Sequence, residues 1–287
     1  MLFPFNFLKT NTTTPLLLDL YPNSTAAYSL RKLTNAYSGS VIRVRRASDN
    51  TEQDIGFVSN VLDTASLLSF CAATDGFVVT WYSQIGGSTM DVIQTTAIKQ
   101  PKIVIGGVLN TLNGKVSIQY RFANNTALVT ASGVTVQSGD FFTYAVALTT
   151  TIATNAAIVD QDDQVTLNGR VAQYLYRGGA AIRILLFNTA GSFTNIVYSS
   201  FTAATQKIFS SWKSGTQLSV GLNTANNTQT FSGTQRTTVV KLTIGAGNNG
   251  NSEFHDGEIQ EAVTFSVSNV TNRTNIFNNI NNYYAIY

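Results

Sequence analysis

Charged residues are scarce in this chain of 287 residues, where they make up 11% against roughly 25% in ordinary soluble proteins. The net charge of +3 is far from the strongly basic balance typical of nucleic-acid binding, so we expect no nucleic-acid partner. No apolar run reaches the roughly 18 residues of a membrane span, so we expect no membrane insertion. Hydrophobic residues still make up 44% of the chain, which is enough for a folded core.

Cysteine, histidine and glutamate are rarer still. Cys71 is the only cysteine and His255 the only histidine, which excludes an intrachain disulfide, a cysteine-ligated zinc site and a histidine-rich metal centre. A serine–histidine–aspartate triad would depend on His255 alone, and we interpret this residue as a solvated loop histidine. The glutamates number four: Glu52, Glu253, Glu258 and Glu261.

The chain is rich in short runs of β-forming residues separated by Gly, Asn and Ser, the pattern of a sandwich or barrel. Strands are predicted at residues 40–45, 76–82, 101–108, 115–122, 141–149, 171–176, 181–187, 217–222, 239–244 and 258–267. The runs at 141–149 and 181–187 are more continuously apolar than the others, which predicts positions in the middle of a sheet. Helices are predicted at 25–34, 63–70 and 271–284. We expect one domain over residues 19–287, preceded by an arm at residues 1–18.

Two segments go beyond this general pattern: AYSLRKLTNAYSGSVIRVRRASDNTEQDIGF at 27–57 and SFCAATDGFVVTWYSQIGGSTMDVIQTTAIKQPKIV at 69–104. Together they resemble the N-terminal half of the concanavalin A-like (laminin-G-like) jelly-roll domain. They are particularly similar to the catalytic domain of fungal-type α-L-arabinofuranosidases and its phage-encoded relatives. The ending TNIFNNINNYYAIY is similar to the closing helix and strand of that group. The resemblance implies an all-β fold, an antiparallel two-sheet β-sandwich with a few short helices.

The resemblance also implies where hydrolysis would take place. A retaining glycosidase needs two carboxylates, one attacking and one donating a proton. The family's nucleophile segment, Asp-x-Glu-Asn, falls on FNTA at 187–190, and its proton-donor turn, Gly-Gly-Asp, falls near GAGN at 245–248. Neither segment contains an acid, and no Asp or Glu occurs between Asp163 and Glu253. We therefore expect a non-catalytic member of this group, with no catalytic residues.

Other pieces of the resembled site are absent as well. The vicinal cysteine pair that lies under the sugar in these enzymes falls on Ala156 and Ala157. Cys71 matches a disulfide cysteine, but its partner position is Gly76. The family's Asp-Gln-Ser-Gly turn reads Ser-Gln-Ile-Gly at 83–86, without the aspartate. Trp81, just before this turn, is predicted to be a core residue.

The remaining charges have two interpretations. Seven of the 15 acids form two groups, each expected to be a loop: Asp160, Asp162 and Asp163, and Glu253, Asp256, Glu258 and Glu261. Carboxylate oxygens suit calcium, so calcium is the one candidate cofactor, although solvated loop charge is the simpler interpretation. A relocated catalytic pair of acids would include Asp160 or Glu258.

The basic group of Arg31, Lys32, Arg43, Arg45 and Arg46 is expected to form ion pairs with Asp49, Glu52 or Asp54 in a structural role.

Three residues are the candidates for carbohydrate binding: Asp160, Trp212 and Asn248. Trp212 lies in the polar segment SSWKSG, where an indole could stack on a sugar. Packing at the sandwich rim or at a subunit interface is the alternative for this residue. Asp160 and Asn248 would contribute hydrogen bonds.

The neutral surface, the phage-borne relatives and a start, MLFPFNFLKT, that is not typical of a secretory signal favour a virion protein. We expect a decoration, spike or fibre component at the virion surface, made in the host cytoplasm and homo-oligomeric. Its expected partners are other virion proteins and host cell-surface glycans. The alternatives are an arabinofuranosidase-like glycoside hydrolase with relocated acids and a free-standing carbohydrate-binding module.

Overall fold

A computed structural model describes residues 14–135, 139–150, 155–162, 170–178, 181–199 and 201–287. Within these residues the chain is mostly β, with three α-helices: α1 (Leu17–Leu20), α2 (Thr64–Cys71) and α3 (Arg273–Tyr284). Short 3₁₀ turns occur at Ser88–Met90, Ala97–Lys99, Phe122–Asn124 and Asn248–Gly250. No helix in the described part of the chain is long and apolar enough to cross a membrane.

The strands are short in the first half of the chain and longer in the second. The first half contains β1 (Ser24–Ser29), β2 (Ile42–Arg46), β3 (Glu52–Ile55), β4 (Phe57–Val58), β5 (Val61–Leu62), β6 (Gly76–Trp81), β7 (Val92–Ile93), β8 (Lys102–Ile105), β9 (Val108–Leu109), β10 (Thr111–Leu112), β11 (Lys115–Val116), β12 (Ile118–Tyr120) and β13 (Leu128–Thr130). The remainder are β14 (Val134–Thr135), β15 (Phe141–Thr149), β16 (Ala156–Asp162), β17 (Arg170–Gly178), β18 (Ala181–Phe187), β19 (Phe193–Tyr198), β20 (Lys207–Ser214), β21 (Gln217–Leu222), β22 (Ala225–Thr230), β23 (Val239–Val240), β24 (Thr243–Ile244) and β25 (Gly257–Phe265).

Three strand pairs, β4–β5, β10–β11 and β14–β23, stand apart, and the other strands form one hydrogen-bonded antiparallel network that divides into two sheets. The first runs β22-β21-β20-β15-β25-β1, and β12 pairs with the other end of β25. The second runs β19-β18-β17-β16-β24-β13-β7-β6-β2-β3. β8 pairs with both β12 and β6 and so joins the two sheets. The predicted two-sheet β-sandwich is confirmed.

The first sheet is buried on both faces. Along β15, Phe141 and Ala145 face the main core, to which strands of both sheets contribute. Phe142 and Tyr144 face the opposite way, into a second cluster that α3 covers with Phe277 and neighbouring residues. Alternate side chains of a strand point to opposite faces, so burial of both faces explains the continuous apolar run. The predicted mid-sheet position of 141–149 is confirmed, as is that of 181–187, which pairs on both sides.

The segment at 81–86 is hydrogen-bonded to the end of β1 and the residues that follow it. Trp81 is fully buried, as predicted. The Gln84 amide nitrogen donates to the carbonyl oxygens of Ser29 and Arg31 at 3.0 and 2.8 Å. Its amide oxygen accepts from the backbone N–H of Leu33 at 2.7 Å. This part of the resembled motif therefore maintains the fold and does not depend on the missing aspartate.

The positions of the resembled disulfide are adjacent in the fold. A Cβ atom on Gly76 would lie 2.6 Å from Sγ of Cys71, so a side chain there would meet the thiol directly. Glycine leaves room for the buried free thiol of Cys71.

The helix predicted at 25–34 is wrong. Residues 24–29 form β1, which pairs along β25 with Ala27 opposite Val263. The apolar spacing of Ala26, Ala27 and Leu30 fits a helix, but pairing with a neighbouring strand overrides such weak local preferences. The helices predicted at 63–70 and 271–284 are confirmed as α2 and α3.

The N-terminal arm is described only in part. Residues 1–13 lie outside the described residues. Leu17 and Leu18 of α1 are buried in the cluster beneath α3. That part of the expected arm therefore packs as part of the domain.

Two members of the basic group, Arg43 and Arg46, form the predicted ion pairs. Nε of Arg43 contacts Oδ1 of Asp54 at 2.9 Å, and a nitrogen of Arg46 contacts Oδ2 of Asp49 at 2.7 Å. Arg45 instead donates to the amide oxygen of Gln100 at 2.7 Å. These contacts fit a structural role for the group.

Candidate functional site

β16 is the meeting point of the three segments that the resemblance links to the sugar. Ala157 packs against Leu185 and Phe187 of β18. On its other side, the backbone N–H of Ala157 donates to the carbonyl oxygen of Glu253 at 2.8 Å. The backbone N–H of Gly245 donates to Ile158 at 3.0 Å. The fold therefore places residues 156–157, 187 and 245–253 around one strand, as the resemblance implies.

An apolar surface, here called the outer patch, consists of Ala157, Leu185, Phe187 and Phe193. Phe193 lies directly opposite Phe187 in the pairing of β19 with β18, and the ring centroids are 5.3 Å apart. Phe187 is buried, whereas Phe193 is 54% exposed. An exposed ring on an apolar base can pack against the C–H groups of a ligand, because aromatic side chains offer a large rigid contact area.

The segment at the nucleophile position has a structural use. Oδ1 of Asn188 accepts from the backbone N–H of Ser192 at 3.0 Å. Its Nδ2 donates to the carbonyl oxygen of Ser232 at 3.2 Å. An amide has no proton to exchange near neutral pH and is not a carboxylate nucleophile. Asn188 therefore holds the turn after β18 and supplies no hydrolytic chemistry.

Acids do lie close to the site, from a different part of the sequence. Asp160 is fully buried in β16. Its Oδ2 accepts from the backbone N–H groups of Asp162 and Asn248, both at 3.2 Å. Burial first, and then the charges of Asp162 and Glu253, raise the pKa of Asp160 well above its usual value. The structure thus brings together acids from the two groups that the sequence keeps 90 residues apart.

The predicted loop positions of these acids need correction. Asp160 and Asp162 belong to β16 and not to a loop, because this stretch pairs with β17 and β24. Asp163 lies outside the described residues. Glu253 enters the site beside Gly247, where a Cβ atom would lie 2.5 Å from Oε2 of Glu253. A side chain at position 247 would displace the Glu253 carboxylate from this position.

The other acids of the second group lie in different surroundings. Glu258 and Glu261 are in β25, so the expectation of one loop for this group is wrong. Glu258 lies 3.6 Å from a guanidinium nitrogen of Arg121, and burial raises its pKa. Glu261 is fully buried and forms an ion pair with Arg31 at 2.8 Å.

Trp212 does not have the exposed loop position expected of a sugar-stacking residue. It lies within β20 and is 5% exposed, in the cluster covered by α3. The guanidinium carbon of Arg273 lies 4.0 Å from its ring centroid. One ring face is therefore already occupied by a cation, and the packing interpretation is the correct one. Asn248, in contrast, lies beside Asp160 at the site.

The interpretation of His255 as a solvated histidine is wrong. It is fully buried, with Nε2 3.1 Å from the carbonyl oxygen of Leu148. Its ring meets that of Tyr120 edge-on at a centroid distance of 6.2 Å. Pairing of the adjacent β25 with β15 carries His255 into the interior.

Neither Phe193 nor Thr243 is among the sequence-based candidates. Thr243 lies opposite Asp160 in the pairing of β24 with β16. Phe193, Asn195 and Val197 lie on the exposed face of β19, but the segment FTNIVY does not alternate apolar and polar residues and so gives no clear signal. For Thr243 no local signal exists, since its role depends on which strand lies beside it.

Metal binding and cavities complete the description. In the described part of the chain, no three His, Cys, Asp or Glu side chains are arranged to hold a metal ion. A separate cavity of about 520 Å³ is lined by Thr25, Ala26, Met90, Val134, Thr135, Gly139, Asp140, Gln161, Leu242, Thr264 and Ser266. Its volume lies within the range of small-molecule sites.

Comparison with known families supports the resemblance. The model of the catalytic domain of α-L-arabinofuranosidase B matches residues 19–160, slightly less than half of the 287 residues. The match ends at Asp160 and so includes neither β18 nor the turn at 245–253. No curated protein matches the sequence.

Several solved structures share the fold. A mutant GH54 α-L-arabinofuranosidase soaked with 4-nitrophenyl α-L-arabinofuranoside has a TM-score of 0.63 at 15% identity, over 92% of this chain and 64% of that chain. An arabinofuranosidase complexed with arabinofuranosyl-α-1,2-xylobiose has a TM-score of 0.58 at 18% identity, over 89% and 61%. The binding domain of Paraclostridial Mosquitocidal Protein 1 has a TM-score of 0.51 at 8% identity, over 85% and 52%.

At these identities the similarity establishes the sandwich fold and not the activity. The chain spans less than two thirds of the length of either arabinofuranosidase structure. The comparisons thus show a β-sandwich fold similar to that of the arabinofuranosidases.

Proposed function

We propose that this protein binds carbohydrate at the outer patch without hydrolysing it, and that it does so as a component of a virion surface. One observation carries the proposal. The fold gathers the three segments of the resembled sugar site around β16, yet residues 187–190 and 245–248 contain no acid. The surface that remains is an exposed Phe193 ring on an apolar base.

The chemistry of the outer patch fits a neutral sugar. A sugar ring has a C–H face that packs on an aromatic side chain and hydroxyl groups that bind amides and backbone groups. Phe193 supplies the first, and the exposed amide of Asn195, on the same face of β19, supplies the second. Asn188 and Gln235 pair through a β-bridge at the edge of the patch.

The virion context comes from the whole chain. A surface built from Asn, Thr, Ser and Gly with 11% charged residues suits a protein that works outside a cell. The resemblance includes phage-encoded proteins. We infer that its partners are other virion proteins and host cell-surface glycans, and that it acts as an oligomer. Capsid, portal and tail genes next to its own gene would support this context, whereas polysaccharide-degrading genes would oppose it.

The binding test uses a matched pair of exposed aromatic residues. Phe193→Ala removes the ring of the outer patch, and Phe122→Ala removes a ring that is 41% exposed elsewhere. On a broad bacterial and plant glycan array, we expect a specific signal that falls about 5- to 10-fold in Phe193→Ala, the loss of one aromatic anchor. Phe122→Ala should leave it unchanged. A signal that is insensitive to Phe193→Ala but falls in Asp140→Asn would assign binding to the separate cavity and contradict the proposal.

Hydrolysis is the second candidate function, and Asp160 is the observation that favours it. A carboxyl group whose pKa is raised by burial, as that of Asp160 is, can act as a general acid. In this alternative, 4-nitrophenyl α-L-arabinofuranoside is cleaved, and Asp160→Asn abolishes cleavage. We expect no release of nitrophenolate by the unmodified protein at any pH between about 4 and 8, the range in which such acids work. Release that depends on Asp160 would replace the binding proposal with the enzyme.

A further inference from the structure

Oxygen atoms without hydrogen-bond partners are concentrated where β16 meets β24 and the turn at 247–252. Oδ1 of Asp160, Oγ1 of Thr243 and Oδ1 of Asn248 are buried and have no such partner among the described residues. The same is true of Oδ1 of Asn249 and Oγ of Ser252 in that turn. Buried polar atoms nearly always have partners, and an exception calls for a specific explanation such as an ion or water.

Two of these atoms come from different strands and face the same space. Asp160 and Thr243 are direct partners in the antiparallel pairing of β16 with β24. Such partners have side chains on the same face, with Cβ atoms about 4.5–5.5 Å apart. Both residues are fully buried. The threonine hydroxyl therefore lies beside the carboxylate without a hydrogen bond to it.

Asn248 completes the set from the turn. Its backbone N–H donates to Oδ2 of Asp160 at 3.2 Å, which places this residue next to the carboxylate. Its φ of 52° is in the left-handed region that Asn tolerates better than most residues. The turn is held by the backbone N–H of Gly250, which donates to Gly247 at 2.9 Å. Asn248 thus occupies a fixed position beside Asp160.

The local charge indicates the type of ligand. Burial and the charges of Asp162 and Glu253 oppose ionisation of Asp160, an opposition that a bound cation would offset. A carboxylate, a hydroxyl and an amide oxygen form an all-oxygen set, which suits a hard cation. We propose that Asp160, Thr243 and Asn248 form a calcium-binding site that joins β16 and β24 to the turn at 247–252.

The composition of the site sets the expected affinity. No three acidic, histidine or cysteine side chains are arranged for a metal in the described residues, so neutral oxygens provide much of the coordination. Low ligand charge gives weak calcium sites, with Kd values of about 10⁻⁴–10⁻³ M. Magnesium should bind less well, because it requires a rigid octahedral arrangement and loses its waters reluctantly.

The test uses the full chain, freed of metal with a chelator and then dialysed, without any carbohydrate. Calorimetric titration with calcium chloride should give saturable heat, and about 10 mM calcium should raise Tm by about 3–5 °C. The same concentration of magnesium should give less than half of that rise. Asp160→Asn should abolish both responses, whereas Glu52→Gln, at an exposed acid, should retain them.

If Asp160→Asn fails to fold, Thr243→Val provides an independent test of the calcium site. Loss of one neutral ligand should weaken calcium binding about 3- to 10-fold while the free protein remains folded. Three results would overturn the site: no heat or Tm shift in the unmodified protein, equal shifts with magnesium and calcium, or unchanged calcium binding in the Asp160 and Thr243 variants. Because no sugar is present, the result is separate from that of the proposed function.

Discussion

Glu261 and Asp160 are both fully buried carboxyl groups, yet their surroundings differ completely. Glu261 accepts two hydrogen bonds from the Arg31 guanidinium at 2.8 and 3.0 Å. It also accepts from the hydroxyl groups of Tyr144, Ser29 and Tyr284 at 2.8, 2.7 and 3.1 Å. Within the described residues, Asp160 accepts two backbone N–H bonds at 3.2 Å, and its second oxygen has no hydrogen-bond partner.

The pKa directions follow from this difference. Burial opposes ionisation of Glu261, but the Arg31 charge and the hydrogen bonds outweigh it and lower the pKa. Burial of Asp160 has no such compensation, so its pKa is raised. A buried carboxylate with every partner supplied is part of the architecture, whereas one left short of partners marks a place where something else binds. The comparison therefore separates an acid with a full set of partners from one whose free oxygen the proposed cation site would use.

The largest expected effect is at Glu261. Glu261→Gln leaves the Arg31 guanidinium buried without its counter-charge, which typically costs about 3–5 kcal/mol. Urea unfolding followed by circular dichroism at neutral pH measures this loss. Glu52→Gln is the control, since its side chain is partly exposed and lies 3.9 Å from Arg43, and it should change the stability by less than about 0.5 kcal/mol. Equal losses of stability in Glu261→Gln and Glu52→Gln would contradict the structural role of the buried Glu261–Arg31 pair.

Two buried tyrosines test whether single hydroxyl groups with and without partners contribute differently to stability. Tyr144→Phe removes a donor to Glu261 and should cost about 1.5–3 kcal/mol, the usual value for a hydrogen bond to a charged group. Tyr120 is also fully buried, but its hydroxyl has no partner. Tyr120→Phe should therefore be neutral or slightly stabilising in the same urea experiment. A larger loss at Tyr120 than at Tyr144 would contradict the account.

The pH dependence of stability should have opposite signs at the two acids. The folded state holds the Asp160 proton more tightly than the unfolded state does, so its contribution to stability is lost as pH rises through the raised pKa. In the presence of a chelator, Asp160→Asn should therefore unfold at higher urea than the unmodified protein above neutral pH. The two should converge near the ordinary pKa of an aspartate. Glu261, with its lowered pKa, loses its contribution as pH falls.

That experiment needs only one variant and a set of buffers. Urea midpoints from about pH 4 to 9 bracket the ordinary and the raised carboxyl pKa. Identical curves for Asp160→Asn and the unmodified protein would show that Asp160 does not titrate as its burial requires.

The smallest expected effect is at Thr243. Thr243→Val removes a buried hydroxyl without a partner and, with chelator present, should stabilise the protein by up to about 1 kcal/mol. Thr143→Val is the matched control, because Oγ1 of Thr143 contacts Oγ1 of Thr264 at 3.2 Å. That change should destabilise by about 0.5–1.5 kcal/mol. The same sign for both variants would argue against an unsatisfied site beside Asp160.

Much of the fold could be predicted from local sequence. Continuous apolar runs at 141–149 and 181–187 are buried on both faces, and composition alone indicates this. The helix predicted at 25–34 is wrong because Ala26 and Ala27 fit either a helix or a strand, and only the pairing with β25 decides. Trp212 is similar: its neighbours are polar, but β15 and β20 pair so that its ring enters the core.

The site was less predictable, for a physical reason. The missing acids at 187–190 and 245–248 are visible in the sequence once the resemblance is used. The proximity of Asp160 to Glu253 and Thr243 is not visible in the sequence, because it results from β16 lying beside β24 and the turn that follows. Long-range pairing of this kind leaves no local pattern.

The glycan array, with the proteins at equal concentration and the spots analysed afterwards for released sugar, tests the central claim most directly. The account predicts a specific glycan signal that is reduced in Phe193→Ala, unchanged in Phe122→Ala and accompanied by no released sugar. Released sugar, or a signal indifferent to Phe193, would contradict a non-hydrolytic binding surface at the outer patch.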